Sequence, residues 1–331
     1  MPAEWEPHGG CLISWPCKED TWCGYFENAK IAYLEVIRAI NRFEPVIVLA
    51  DAAVVREASN AVGKDIRVVE VPLDDSWIRD NGPTYVVNDD RIAMSHFRFN
   101  GWGGRFMPYE NDARAPEVLA GIFKTRRYSA PLVLEGGGIC TDGEGTLMTT
   151  ESCTLNPNRN PGLSKEEIEG ILKSYLGVRK ILWLKQGIHR SMIDGHIDGV
   201  AAFVKPGVVL HASCEDERDP NHEIMRRNKE LLGTMTDARG RAIEVIDMPM
   251  PMIREIEGNR IAPCYTNFYI ANGGIVAPIF GDKNDGSALQ VLRDAFRERE
   301  VVGVRCEYIG VGGGEVHCIT QQIPRGSSCF P

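Results

Sequence analysis

The chain has no apolar run near the ~18 residues of a membrane-spanning helix, so no membrane partner is expected. Its opening, Met1-Pro2-Ala3-Glu4-Trp5-Glu6, lacks the basic-then-apolar pattern of a secretory signal, and a cytoplasmic location is the expectation. Ten cysteines are scattered without C-x-x-C or zinc-ribbon spacing, which points to reduced thiols and no metal site. No Gly-x-Gly-x-x-Gly opens a helix after a first strand, so the dinucleotide-binding signature is absent. Positive charge is also in deficit. Against 46 Asp and Glu stand 37 Lys and Arg, a net −9, which disfavours nucleic acid and suits a small cation. With no linker, low-complexity run or charge block, 331 residues read as one domain, 1–331.

What is present is a recurring unit of helix, short apolar strand and polar or glycine-rich loop. Apolar positions at Ile31, Leu34, Ile37 and Ile40 give a helix over 28–43, followed by a buried strand from Pro45 to Ala50. Further strands are expected at 66–71, 131–134, 181–184, 242–246 and 301–304, each preceded by a helix. Hairpins are expected at 84–99, 200–212 and 265–279, with another turning at Asp142-Gly143-Glu144-Gly145. The clearest helix begins at Ser164, where Glu167 completes a capping box, and stops at Gly177. About five such units follow one another. An α/β fold built from structural repeats is the natural reading.

Loops at one end of a rigid scaffold are where sites are usually built. Four of the five loops end in an ionisable or nucleophilic group, and together they offer Asp80, Glu135, His196, Asp198 and Cys318. Cys318 follows three glycines, 312–314, where backbone must turn sharply or approach something bound. It is either a nucleophile served by exposed backbone N–H groups or a buried structural thiol. In His196-Ile197-Asp198, an extended backbone would turn imidazole and carboxylate to one side. Taken singly, each of these residues also has a plain structural reading as a turn, a cap or a satisfied polar pair.

The residues carry a resemblance to one family. Met1-Pro2-Ala3-Glu4-Trp5-Glu6-Pro7-His8 and Trp77-Ile78-Arg79-Asp80-Asn81-Gly82-Pro83-Thr84 resemble motifs of agmatine deiminases, within the guanidine-modifying superfamily. So do Phe99-Asn100-Gly101-Trp102-Gly103-Gly104, Glu135-Gly136-Gly137, Asn156-Pro157-Asn158-Arg159-Asn160-Pro161, Gly195-His196-Ile197-Asp198 and Gly313-Gly314-Glu315-Val316-His317-Cys318. The resemblance implies a five-bladed α/β propeller built from ββαβ units. It implies hydrolysis of agmatine, a small cationic guanidinium, to N-carbamoylputrescine and ammonia, with no metal or organic cofactor. By the same resemblance Cys318 is the nucleophile, His196 the acid and base, Glu135 its orienting partner, and Asp80 and Asp198 the guanidinium clamps. Trp77 and Trp102 flank the alkyl chain or belong to the core. A relative acting on free, methylated or peptidyl arginine is the alternative, and a homodimer is compatible with everything above.

Overall fold

In the computed structural model, residues 1–253 and 255–326 are described. Five small sheets repeat one pattern: an antiparallel hairpin, a helical crossover, and a third strand parallel to the hairpin's second. Parallel neighbours need such a crossover, because a tight turn cannot join them. The second sheet pairs Thr84–Asn88, Arg91–Arg98 and Arg126–Val133, with helix Glu110–Ile122 between the last two. The third uses Ile139–Thr141, Thr146–Thr150 and Lys180–Leu184 around helix Lys165–Leu176. The fourth holds Ala201–Lys205, Val208–Ser213 and Glu244–Pro249 around Pro220–Gly233, and the fifth Tyr269–Ala271, Gly274–Ile279 and Glu300–Arg305 around Asp285–Ala295.

The first sheet completes its pattern with the far end of the chain. Thr320–Pro324 pairs antiparallel with His8–Ser14, which runs parallel to Val46–Ala50 and then Arg67–Glu70. The central strand Val46–Ala50 of this sheet is fully buried, as its unbroken apolar run requires. Among the described residues, no helix is long and apolar enough to cross a membrane.

Local chemistry explains the elements. Ser164 Oγ accepts from Glu167 N at 3.2 Å while Glu167 Oε2 accepts from Ser164 N at 2.7 Å, the reciprocal cap expected there. Gly177 ends that helix at φ 68°, a left-handed conformation costly for other residues. Ile168, Leu172 and Leu176 form its buried face, spaced one turn apart. Two expectations shift. The hairpin expected from 265 starts only at Tyr269, because Asn267 spends its carbonyl on His317 N at 3.1 Å rather than on a ladder. The glycine stretch also begins inside a short helix, Glu307–Val311, which Gly310 and its neighbours conceal in the sequence.

Candidate active site

Each of the five sheets begins just after a loop, and those five loops converge. Asp80 lies in the single turn Ile78–Asn81 ahead of Thr84, and Glu135 precedes the turn Gly136–Gly138 ahead of Ile139. His196 and Asp198 lie at the turn Ile197–Gly199 ahead of Ala201, and Cys318 stands two residues ahead of Thr320. The fifth loop, for which the sequence offered no candidate, contributes Asn267 ahead of Tyr269.

Gly137 is the hub. A Cβ there would sit 2.7 Å from Asp198 Oδ2 and 2.8 Å from both Asp80 Oδ1 and His196 Nδ1, so only glycine fits. Its N–H donates to Asp80 Oδ1 at 2.9 Å, and Trp102 Nε1 donates to Asp80 Oδ2 at 2.8 Å. Trp102 therefore does more than line a wall: it fixes the carboxylate's plane. Trp77 stacks on the buried Trp22, with ring centroids 5.5 Å apart, and presses on Gly314 beside Cys318.

His196 is held between carboxylates, with Nδ1 3.7 Å from Asp80 Oδ1 and Nε2 3.6 Å from Glu135 Oε2. Burial opposes the imidazolium, but Asp80 leads the partners that raise the His196 pKa well above its ordinary value. Glu135 is lowered despite its burial, by His196 and by Arg159, whose Nε donates to Oε1 at 2.8 Å. Cys318 takes an N–H from Asn267 Nδ2 at 3.1 Å and lies 3.7 Å from Asp198 Oδ2. Burial, then Asp198, Glu315 and Asp80, push this thiol well above its usual range.

Behind the sulfur lies a second histidine. His317 Nδ1 is 3.0 Å from Asp198 Oδ2 and Nε2 is 2.9 Å from Glu4 Oε1. An imidazole that donates to carboxylates on both sides is an imidazolium, and its pKa is raised even though burial and Arg79 oppose that. Arg79 itself serves structure, donating Nε to His317 O at 3.2 Å and Nη1 to Glu4 Oε1 at 3.4 Å.

Two cavities meet at Cys318. The smaller, about 160 Å³, is lined by His196, Asp198, Asn267 and Glu315; the larger, about 370 Å³, by Trp77, Asp80, Trp102 and Asp75. Met192 and Ile193 border both.

The geometry departs from the sequence reading in four places. His196 and Asp198 share a cavity, but across a tight turn rather than an extended strand. The donor on the sulfur is a side-chain amide, while Cys318 N is given to Asn267 Oδ1 at 3.3 Å. The cavity walls are less acidic than the net charge of −9 suggests, since Arg190 lines the smaller, and Lys18 and Arg105 the larger. The sequence alone gives no role to Asn267, Glu315, Glu4, His317 or Arg159. Four of them lay inside motifs already singled out, whereas Asn267 had no local signal at all.

Comparison with known proteins bears on this arrangement. Residues 1–324 match the family described as Porphyromonas-type peptidyl-arginine deiminase. A Listeria monocytogenes protein provisionally named agmatine deiminase 1 is 44% identical, over 98% of this chain and 96% of its own length. The agmatine deiminase of Medicago truncatula is 43% identical over 98% and 96%. A solved structure of Enterococcus faecalis agmatine deiminase superposes with a TM-score of 0.95 at 34% identity, covering 99% of this chain and 96% of that one.

Proposed function

The chain belongs to the Porphyromonas-type peptidyl-arginine deiminase family, and on that premise we propose that it is an agmatine deiminase. The observation that carries the reading is the convergence of His196, Asp80 and Asp198 around one glycine too crowded for any side chain, with Cys318 Sγ 3.7 Å from Asp198 and Glu135 3.6 Å from His196. We place the five sheets as blades of a five-bladed propeller in one domain, 1–331, with the site where their leading loops meet.

A guanidinium is a poor electrophile with a delocalised charge, and it stays protonated at neutral pH. Asp80 and Asp198 hold it by paired, charge-assisted hydrogen bonds that fix its plane. Its arrival offsets the carboxylates that keep Cys318 protonated, and the thiol proton leaves to solvent. The thiolate attacks the central carbon, and Asn267 Nδ2 keeps the sulfur aimed. His196, already charged, gives its proton to the departing nitrogen, and ammonia leaves with both electrons of the C–N bond. The resulting S-alkylthiouronium is attacked by water whose proton returns to His196. Collapse expels the Cys318 sulfur, which takes up the remaining hydroxyl proton to restore the thiol, and releases N-carbamoylputrescine. Glu135, braced by Arg159, keeps His196 oriented and charged.

The second reading is a relative acting on free, methylated or peptidyl arginine, and Lys18, Arg105 and Arg190 on the cavity walls favour it, since they offer charge to a carboxylate. Two of those three are already engaged. Arg105 pairs with Asp194 at 2.5 Å, and Lys18 Nζ donates to Met107 O at 2.9 Å. The test is ammonia release from agmatine, arginine and a blocked arginine peptide at equal enzyme concentration. We expect kcat/KM for agmatine to exceed that for arginine by ~100-fold or more, about 2.7 kcal/mol. Equal rates would move the assignment to an arginine-directed enzyme.

A further inference from the structure

We propose that Glu135, Cys153 and His196 form an inhibitory binding site for a borderline-soft divalent cation of the zinc type. Their ligand atoms all lie within 4.8 Å of one another, and all three side chains are buried. Glu135 Oε2 is 3.8 Å from Cys153 Sγ and 3.6 Å from His196 Nε2. A tetrahedral zinc with bonds of roughly 2.0–2.3 Å sets its ligand atoms about 3.3–3.6 Å apart, so inward shifts of a few tenths of an ångström close two edges of the site. Carboxylate, thiolate and imidazole are the donor set such ions prefer.

Independent features point the same way. Neither ring nitrogen of His196 has a partner at hydrogen-bond distance, although the residue is only 3% exposed; the carboxylates facing it stand off at 3.6 and 3.7 Å, an uncommon state for a buried imidazole. The surroundings are arranged as they are around metal-ligating side chains. Asp80 Oδ1 lies on the far side of the ring, 3.7 Å from Nδ1, and Arg159 holds Glu135 by Oε1, which leaves Oε2 facing inward. Arg159 opposes a cation here and Asp80 offsets it. Of the three side chains, His196 also lines the smaller cavity. Cys153 has no part in the deimination steps above.

Binding is a proton exchange. The thiol loses H⁺ to solvent as sulfur donates a lone pair to the ion, and His196 gives up its Nε2 proton for the same purpose. No oxidant or reductant enters, and affinity therefore rises with pH. An ion held there removes the proton carrier, so turnover stops; only this inhibitory consequence rests on the function proposed above.

The test titrates the protein with Co²⁺ and, separately, with Zn²⁺. We expect one equivalent of Co²⁺ to give tetrahedral-type visible bands and a thiolate-to-cobalt charge-transfer band, both kept in Cys318→Ala. Cys153→Ala and Cys153→Ser should lose the charge-transfer band, keep basal agmatine turnover, and require at least tenfold more Zn²⁺ for half-inhibition. A charge-transfer band that is absent from the wild type, survives in both Cys153 variants, or vanishes in Cys318→Ala would overturn the site. A band at Cys153 with turnover untouched by Zn²⁺ would overturn the inhibition. An intact band in a chain that deiminates no guanidine would unseat the proposed function and leave the site standing.

Discussion

On the proposed mechanism, Cys318 is a nucleophile kept at rest by its own neighbours. Burial and the carboxylates of Asp198, Glu315 and Asp80 all favour the thiol, so the reactive form awaits a cation. Cys318→Ser should fold normally yet lose several orders of magnitude in kcat, because an alkoxide is far harder to form than a thiolate. Ammonia release measures the loss, and mass spectrometry during wild-type turnover should find the adduct on the Cys318 peptide; strong activity in the variant would remove Cys318 from the reaction. Glu315 supplies a second test. Burial pushes it up to about 8 from an ordinary 4.5, with Cys264 Sγ, at 3.5 Å, donating to it. A carboxyl raised this way keeps its proton in the fold while the unfolded chain has lost it, so stability declines as pH rises between 4.5 and about 8. Glu315→Gln should flatten that decline and exceed the wild type in unfolding free energy above pH 8. Parallel curves for the two proteins would place the titration elsewhere. Asp80, Glu135, His196, Asp198 and Cys318 could be singled out because each stands in a loop beside glycine or in a recognisable motif. Asn267 could not: an asparagine in Thr266-Asn267-Phe268 looks like any turn residue until Cys318 is folded against it.

At the scale of elements, legibility followed local chemistry. Helix Lys165–Leu176 declares both its ends, through Ser164 with Glu167 and through Gly177, so its bounds could be read directly. The turns that carry the site declare nothing. Ile197–Gly199 has three residues, and a period cannot be seen in three residues; an extended reading there was reasonable and geometrically wrong. What shapes such turns is crowding from other loops, as at Gly137. Two substitutions separate these cases. Ser164→Ala removes a cap and should lower stability by about 1 kcal/mol while leaving kcat unchanged. Gly137→Ala forces a methyl to within 2.8 Å of Asp80, Asp198 and His196 and should reduce kcat by at least tenfold in a folded protein. Circular dichroism with denaturant titration, beside steady-state kinetics, checks both. Were Gly137→Ala to keep wild-type kcat, the three groups would not need their spacing.

For the molecule as a whole, the decisive contacts join residues far apart in the chain, 313 positions for Glu4 with His317, which no local pattern encodes. Thr320–Pro324 completes the first sheet against His8–Ser14. The first residues then reach across other units. The Met1 amine donates to Leu176 O at 2.6 Å, and Arg299 donates to Trp5 O at 2.9 Å. Glu44 gathers His8 Nδ1, Tyr269 OH and Asn272 N at 3.1, 2.6 and 2.7 Å, joining the opening strand to the fifth unit. Glu4 brings this opening segment into the site, through His317 to Asp198. Burial opposes its charge, but His317 and Arg79 hold it at about 2, below an ordinary 4.5. A lowered carboxylate contributes stability that is fully present above 4.5 and is lost as pH falls toward 2. Glu4→Gln keeps the shape and removes the charge, so it should be less stable than the wild type at pH 7, with the difference closing in acid. It should also weaken the His317 cation that braces Asp198, lowering kcat/KM for agmatine about tenfold, or 1.4 kcal/mol. A purely structural role for Glu4 would lower stability alone. The pH profile distinguishes the two, because loss of Glu4's charge lowers the pKa of His317 and draws the alkaline limb of kcat/KM to lower pH. An unmoved limb with unchanged kcat/KM would mean that the opening segment holds the fold together without reaching the chemistry.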